Sequence, residues 1–142
     1  MFKNYKLILY IMFSQNNIVS RQEQINKLVK FFFCFQFINK LYHWNTSSFA
    51  RHKATDGFNN IITDLVDRFV EVYIGIYKTK PIVESIKLDK TLMTDDGIIK
   101  LFTDARDYLR KLHHIIQDTE LLNIRDEILV EINKTLYLFE LN

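Results

Sequence analysis

Apolar residues recur at helical spacing along most of the chain after Ser20. Ser20 and Glu23 have the S-x-x-E spacing of a capping box, which marks the start of a helix. Apolar positions then follow every three or four residues to about Asn45, and this periodicity predicts a first helix over that range. The positions that carry the pattern are Ile25, Leu28, Val29, Phe32, Phe35 and Tyr42.

The first helix is apolar almost all round. Besides the stripe, its other faces carry Phe31, Phe33, Cys34, Phe37 and Ile38. A helix without a polar face is normally covered on more than one side. Since a single four-helix bundle does not easily provide this cover, we expect a partner subunit to supply it.

Three further helices are predicted downstream. The break Thr46-Ser47-Ser48 supplies the N-cap of a second helix that reaches about Tyr77. Pro81 cannot continue a helix, so residues 79–94 are predicted to form a long connector. Thr94 or Asp95 caps the third helix, and Asp118 or Thr119 opens the fourth.

Two short-linked helix pairs joined by one long crossover predict an all-α, ferritin-like four-helix bundle. The scarcity of turn residues, three glycines and one proline, agrees with long helices. We assign residues 20–142 to this bundle domain and residues 1–19 to an N-terminal extension. Met12 is an alternative start, and the apolar stretch from residue 7 to residue 13 is too short to span a membrane.

Composition adds little about partners. The net charge of +2 does not imply nucleic acid, although a pI near 8.6 leaves a nucleic-acid-binding module as a third choice. Cys34 is the only cysteine and lies in an apolar run, so it is expected to be buried and cannot form an internal disulfide. These features favour a reducing, cytoplasmic location.

Four polar residues form a candidate metal-binding set. His43 closes the first helix and His52 opens the second, so a short turn can bring the two imidazoles together. Asp67 and Glu71 are four residues apart, which places both carboxylates on one face of the second helix. Two imidazoles and two carboxylates suit iron, manganese or zinc.

These four residues cannot meet within one chain. His52 and Asp67 are separated by about 22 Å along a continuous helix, at roughly 1.5 Å per residue. Two chains paired about a two-fold axis, with their second helices antiparallel, would place the histidines of one chain opposite the carboxylates of the other. The sequence therefore predicts two identical sites per dimer.

The motif around these residues resembles a known family. The sequence YHWN, followed by His52 and then by Asp67 and Glu71, is similar to the ferroxidase signature of the Dps group (DNA protection during starvation) of the ferritin-like superfamily. Asp56 and Trp44 also match that group's acid and tryptophan. The resemblance implies that His43, His52, Asp67 and Glu71 are both the metal ligands and the catalytic residues.

The same resemblance implies an iron function. The expected activity is Fe(II) oxidation with peroxide or dioxygen at the shared site, with iron storage or detoxification in a homo-oligomer, either a dimer or a dodecamer. Zinc or manganese could occupy the same ligands. The chain departs from the family by a shorter turn without its usual glycine and by lacking a lysine-rich tail, so DNA binding is not expected.

Structural interpretations of the same residues remain open. Asp67 and Glu71 could belong to an ordinary solvated helix face, and the chain could be a non-catalytic helical assembly or interaction protein. Adjacent histidines on a helix point in directions about 100° apart and do not chelate a metal. We therefore interpret His113 and His114 as surface residues at the end of the third helix.

Overall fold

The computed structural model describes residues 19–141, and within this range the protein consists of helices without any strand. The all-α class predicted from the periodicity is confirmed. The predicted N-terminal extension lies almost wholly outside the described residues. The four α-helices are α1 (Arg21–Asn45), α2 (Phe49–Tyr77), α3 (Asp95–Arg110) and α4 (Thr119–Phe139), and 3-10 turns span Lys90–Met93 and Lys111–His114.

Side-chain caps fix the starts of three helices. Ser20 Oγ accepts a hydrogen bond from the Glu23 backbone N–H at 3.1 Å, and the Glu23 carboxylate accepts one from the Ser20 N–H, which completes the predicted capping box. Ser48 and Thr94 each accept from the N–H three residues onward, at 3.2 and 3.1 Å. These hydroxyls satisfy N–H groups that have no partner inside the helix.

The four helices surround one core. α2 packs against α1 and α4, and α3 packs against α4 and α1. Contacts of Tyr42 with Asp95 and of Phe31 with Tyr108 show that α3 runs antiparallel to α1, as α2 does. Because α2 and α3 therefore run in the same direction, the connector from residue 78 to residue 94 has to return along the length of the bundle.

The connector covers part of α1. Cys34 Sγ lies 3.7 Å from the carbonyl O of Lys87, and the Phe31 ring packs 4.3 Å from the ring of Tyr108. Phe31 and Cys34 are thus buried by their own chain, on a side of α1 for which we expected a second subunit. Phe33 and Phe37 stay exposed.

Phe102 of α3 stands where all four helices meet. Its ring centroid lies 4.9 Å from that of Phe35, 4.8 Å from that of Phe58 and 5.3 Å from that of Phe139. These rings come from α1, α2 and α4, so one aromatic cluster joins the bundle. None of the helices in residues 19–141 is long and apolar enough to cross a membrane.

The α-helical part of α3 ends before His113 and His114, which we expected at the end of this helix. The α-helical hydrogen bonding stops at Arg110, and a 3-10 turn follows in which His113 Nδ1 lies 2.7 Å from the Arg110 carbonyl. Leu112 and Ile116 remain buried, because the tighter turn still directs them to the core. His113 and His114 are exposed, as the sequence predicts.

Candidate functional site

The turn between α1 and α2 brings His43 and His52 together. Their rings are nearly parallel, with centroids 3.9 Å apart and planes inclined by 21°. The capped turn formed by residues 46–48 reverses the chain so tightly that the last turn of α1 faces the first turn of α2. The predicted proximity of the two histidines is confirmed.

Each imidazole hydrogen-bonds to the backbone of the other histidine. His43 Nδ1 lies 3.0 Å from the His52 carbonyl O, and His52 Nδ1 lies 3.0 Å from the His43 carbonyl O. A carbonyl only accepts, so in each ring these contacts place a proton on Nδ1. The Nε2 atoms then carry the lone pairs, which is the tautomer that metal-ligating histidines commonly adopt.

His43 is buried and surrounded by polar groups. Its Nδ1 is also 3.0 Å from Thr55 Oγ1, and its Nε2 is 3.9 Å from Asp56 Oδ1. Burial is the main cause that lowers the pKa of His43, and the nearby His52 and Lys40 lower it further, whereas the hydrogen bond to the His52 backbone and the Asp56 carboxylate act in the opposite direction. His43 is therefore neutral at pH 7.

Asp67 and Glu71 do not join the histidines. Both carboxylates are exposed on α2, and neither has a hydrogen bond or ion pair within residues 19–141. In the same part of the chain, no three His, Cys, Asp or Glu side chains converge in a way that could hold a metal ion. The separation predicted for one chain is thus present, and the site shared by two chains stays a prediction.

Trp44 lies next to the histidine pair but points to solvent. Its side chain is 65% exposed, and Lys40 Nζ lies 5.5 Å from its ring centroid. A cation over an exposed indole contributes only about 0.5–1 kcal/mol. Trp44 is therefore an accessible aromatic side chain at this end of the bundle.

A polar network that the sequence did not indicate lies beside the turn between α1 and α2. The Tyr42 hydroxyl donates to Asp95 Oδ1 at 2.7 Å, and Arg51 Nη1 donates to the Asp95 carbonyl O at 3.1 Å. Burial raises the pKa of Tyr42, so the hydroxyl keeps its proton and remains a donor. The network ties α1, α2 and the start of α3 together.

A polar cavity of about 520 Å³ opens at the opposite end of the bundle. The Arg21 guanidinium lies 3.9 Å from the Tyr77 ring centroid, and the Tyr77 hydroxyl donates to Asp118 Oδ2. Burial and the Asp118 carboxylate raise the pKa of Tyr77 to about 12. The remaining lining residues are His114, Ile115 and Gln117.

The fold and the turn define an all-α bundle protein with a histidine-clamped helical hairpin. The chain matches the model of a family of unknown function, DUF5856, over residues 43–139. Because this match spans more than half of the chain, the protein belongs to that family. The matched range begins at His43 and includes the whole of α2, α3 and α4.

A phage protein is similar to part of the chain. It is described as the uncharacterized 14.6 kDa protein in the mobD-ri intergenic region of Enterobacteria phage T4, and it is 33% identical over 79 residues. The aligned region is 54% of this chain and spans 61% of the phage protein's length. No solved structure matches the chain.

These comparisons overturn the resemblance to the Dps group. The family of unknown function and the uncharacterized phage relative do not point to the ferritin-like superfamily, so that assignment was wrong. The resemblance depended on a short motif between residues 40 and 73. In the structure, His43 and His52 have a structural role, because each hydrogen-bonds to the backbone carbonyl of the other and so stabilises the tight turn between α1 and α2.

Proposed function

We propose that the protein is a non-catalytic helical assembly protein that associates with further copies of itself. The observation that carries this proposal is a row of exposed aromatic side chains on the outer face of α1. We call this row, together with two lysines at the same helical spacing, the α1 stripe. It consists of Lys30, Phe33, Phe37, Lys40 and Trp44.

The α1 stripe is a continuous surface on one side of the helix. Its members are three or four residues apart, so they follow one helix face. Phe33 is 37% exposed and Phe37 is 45% exposed, and their rings stack with centroids 5.6 Å apart. Contiguous exposed apolar surface of this kind is typical of protein–protein contacts.

The oligomeric state tests the proposal directly. Sedimentation equilibrium on the full chain should give a mass of two or more copies. Phe37→Lys should shift the protein towards the monomer, because it places a charge in the centre of the aromatic row. A protein that is monomeric at every concentration contradicts the proposal.

Val130→Lys is the matched control for that experiment. Val130 is 62% exposed on α4 and lies outside the α1 stripe. The substitution adds the same charge to a different face, so it should leave the mass unchanged. Equal circular dichroism spectra for both variants will show that neither change acts by unfolding the bundle.

A second candidate function is the binding and oxidation of Fe(II) between two copies of the chain. Two observations favour it. The Nδ1 contacts of His43 and His52 leave both Nε2 atoms available as ligands, and the exposed carboxylates of Asp67 and Glu71 have no partner within residues 19–141. The ferritin-like arrangement of the helices belongs to this candidate and is proposed with it.

In this candidate function, ferrous iron is the substrate and peroxide or dioxygen is the oxidant. The histidines and carboxylates would hold the ion, which loses one electron on oxidation. Zinc or manganese would bind the same ligand types. The contribution of this chain is to fix the two imidazoles through the backbone and, by burial, to keep His43 neutral.

Ferric absorbance after addition of Fe(II) and peroxide tests the second candidate. The wild-type protein should develop the absorbance faster than buffer does, and both His52→Ala and Asp67→Asn should remove this acceleration. His113→Ala is the control, because His113 is exposed at the far end of the bundle. If the protein matches buffer, or if all variants behave alike, this candidate fails and the assembly function stands.

A further inference from the structure

We propose that the second copy docks its α1 stripe onto α2 of the first copy, about a two-fold axis that runs parallel to the helices. This inference rests on the proposed self-association and specifies its geometry. The receiving surface is the outer face of α2, which we call the α2 stripe. It consists of Asp56, Asn60, Thr63, Asp67 and Glu71.

The two stripes lie on neighbouring helices, since α1 and α2 pack against each other along the bundle. Asn39 Nδ2 donates to Asn59 Oδ1 at 2.8 Å, and the Tyr73 hydroxyl donates to Gln24 Oε1 at 2.7 Å. These bonds fix which residues of α1 and α2 are at the same height in the antiparallel pair. At a rise of about 1.5 Å per residue, Lys40 lies within one helical turn of the height of Asp56.

The same register holds further along the hairpin. Counting from the two interhelical bonds, Lys30 lies at the height of Asp67, and Phe33 and Phe37 lie at the heights of Asp64 and Asn60. A two-fold axis parallel to the helices leaves every residue at its own height and exchanges α1 for α2. In the dimer, Lys40 therefore faces the partner's Asp56, and Lys30 faces the partner's Asp67.

The charges of the two stripes are complementary. The α1 stripe carries two lysines and no acid, whereas the α2 stripe carries three acids and no base. The dimer contains two contacts of α1 with α2, and each contact pairs two lysines with two acids. Electrostatic complementarity of this kind fixes orientation and register at an interface.

The alternative dimer packs each helix against the same helix of the partner. A two-fold axis perpendicular to the helices would place α2 on the α2 of the partner, so that one interface gathers Asp56, Asp67 and Glu71 of both copies and no lysine of the α1 stripe lies opposite them. That pairing needs a cation to offset the repulsion, and it is the arrangement that the shared metal site requires. Without added metal, the unlike pairing is favoured, because it satisfies the charges with side chains alone.

Crosslinking between differently labelled chains distinguishes the two arrangements. We would use Cys34→Ala as the parent, introduce Lys40→Cys into one batch and Asp56→Cys into another, mix the batches with a chelator, and add a short bismaleimide. The geometry predicts a covalent 40–56 heterodimer, identified by mass spectrometry. Because each chain carries one cysteine, a link within a chain cannot form.

Two further samples complete the experiment. Lys40→Cys mixed with Val130→Cys should give no heterodimer, since Val130 lies on α4. Phe37→Cys alone tests the alternative arrangement, in which α2 packs on the α2 of the partner. There, Phe37 lies close to the two-fold axis, so the two introduced cysteines can be linked to each other. A strong 37–37 link with no 40–56 link overturns the proposed docking while leaving self-association intact.

Charge exchange supplies an independent readout. Lys40→Glu should weaken the dimer by about tenfold or more, and the double variant Lys40→Glu/Asp56→Lys should recover most of the loss. A double variant that is as weak as the single variant contradicts the pairing. A wild-type protein that sediments as a monomer would instead remove the proposed function itself.

Discussion

At the scale of single residues, the most informative feature is the mutual hydrogen bonding of His43 and His52. Each ring is held by the backbone of the other histidine, so the pair closes the turn and at the same time selects one tautomer. The burial of His43 makes its protonation unfavourable. The turn is therefore sensitive to pH within a range that the sequence alone did not specify.

We expect the free energy of unfolding to fall as the pH drops below about 6.5, the ordinary histidine pKa. The folded state lowers the pKa of His43, so between the two pKa values the unfolded chain binds more protons, and stability is lost as pH falls through that window. Lys40 and the His52 ring reinforce the effect, and the hydrogen bond to the His52 backbone and the Asp56 carboxylate oppose it. Urea unfolding at about pH 7.5 and about pH 5.5 measures it.

His43→Asn should flatten this pH dependence, because it removes the buried titrating group. His113→Asn should keep it, since His113 is exposed. An unchanged pH slope in His43→Asn would show that other groups govern the stability in acid.

Gly97 provides a second prediction at this scale. A Cβ at this position would overlap the carbonyl O of Thr91 and crowd the backbone of Leu92. We expect Gly97→Ala to destabilise the protein by at least about 1–3 kcal/mol, because backbone atoms cannot move aside as side chains can. Thermal unfolding will report the change.

Gly57→Ala is the matched control for Gly97. Gly57 also lies in a helix, but nothing stands within 4 Å of an added Cβ. Its replacement should stabilise the protein by about 0.5–1 kcal/mol through helix propensity. Equal effects at both positions would contradict the close approach of the 3-10 turn to α3.

Helix caps could be predicted from the sequence, whereas hydrogen bonds between residues far apart in the chain could not. The capping box of Ser20 and the caps at Ser48 and Thr94 depend on neighbours within three residues, so their spacing is sufficient. The bond between Tyr42 and Asp95 joins residues 53 positions apart. Nothing in the local pattern of either residue indicates the other.

At the scale of helices, α1 shows how a helix that is apolar on nearly every face can be covered by the rest of its chain. The sequence shows that α1 lacks a polar face, but it does not show what covers each side. The connector and α3 bury Phe31 and Cys34, whereas Phe33 and Phe37 remain open. The surface of α1 that the proposed second copy would cover is therefore confined to one side of the helix.

Phe102 should be the most costly aromatic residue to truncate in α3. Its ring contacts rings from α1, α2 and α4, so Phe102→Ala leaves a cavity at the centre of the bundle. We expect a loss of about 3–5 kcal/mol in the free energy of unfolding, measured by denaturant titration. Phe49→Ala, at a position that is 74% exposed, should change stability by less than about 0.5 kcal/mol.

The helices were predictable because period and caps are local properties. The Dps assignment failed because a short stretch of histidines and acids at helical spacing is compatible with more than one family. What holds His43 and His52 in place is the backbone of a tight turn, and this constraint is not visible in the residue types. The separation of Asp67 from the histidines was foreseen from helix rise alone.

At the scale of the whole molecule, the family match and the proposed interface cover different parts of the chain. The match begins at His43, so it includes the α2 stripe and leaves most of the α1 stripe outside. Self-association through Phe33, Phe37 and the lysines is thus proposed for this protein and does not extend to the family. Relatives that lack these side chains should not share the interface.

The proposed dimer should weaken as salt is added. Its register depends on lysine–carboxylate pairs at the edge of the interface, and added salt screens such charges over about 8–10 Å. Sedimentation in low and high sodium chloride measures the effect. A dimer that is held by the aromatic rings alone would keep its affinity or gain some.

Because α2 and α3 point the same way, the peptide that joins them is a long strap without α-helix along the outside of the bundle, and Leu92 of its 3-10 turn is its one buried residue. Limited proteolysis should cut there first, near Lys80 or Lys87, and should leave two hairpins that migrate together until denaturant separates them. Each half, residues 19–78 and residues 88–141, should then reassemble with the other when the two are expressed as separate polypeptides. The bundle would in that case serve as a split protein whose two parts recover the native fold without a covalent link.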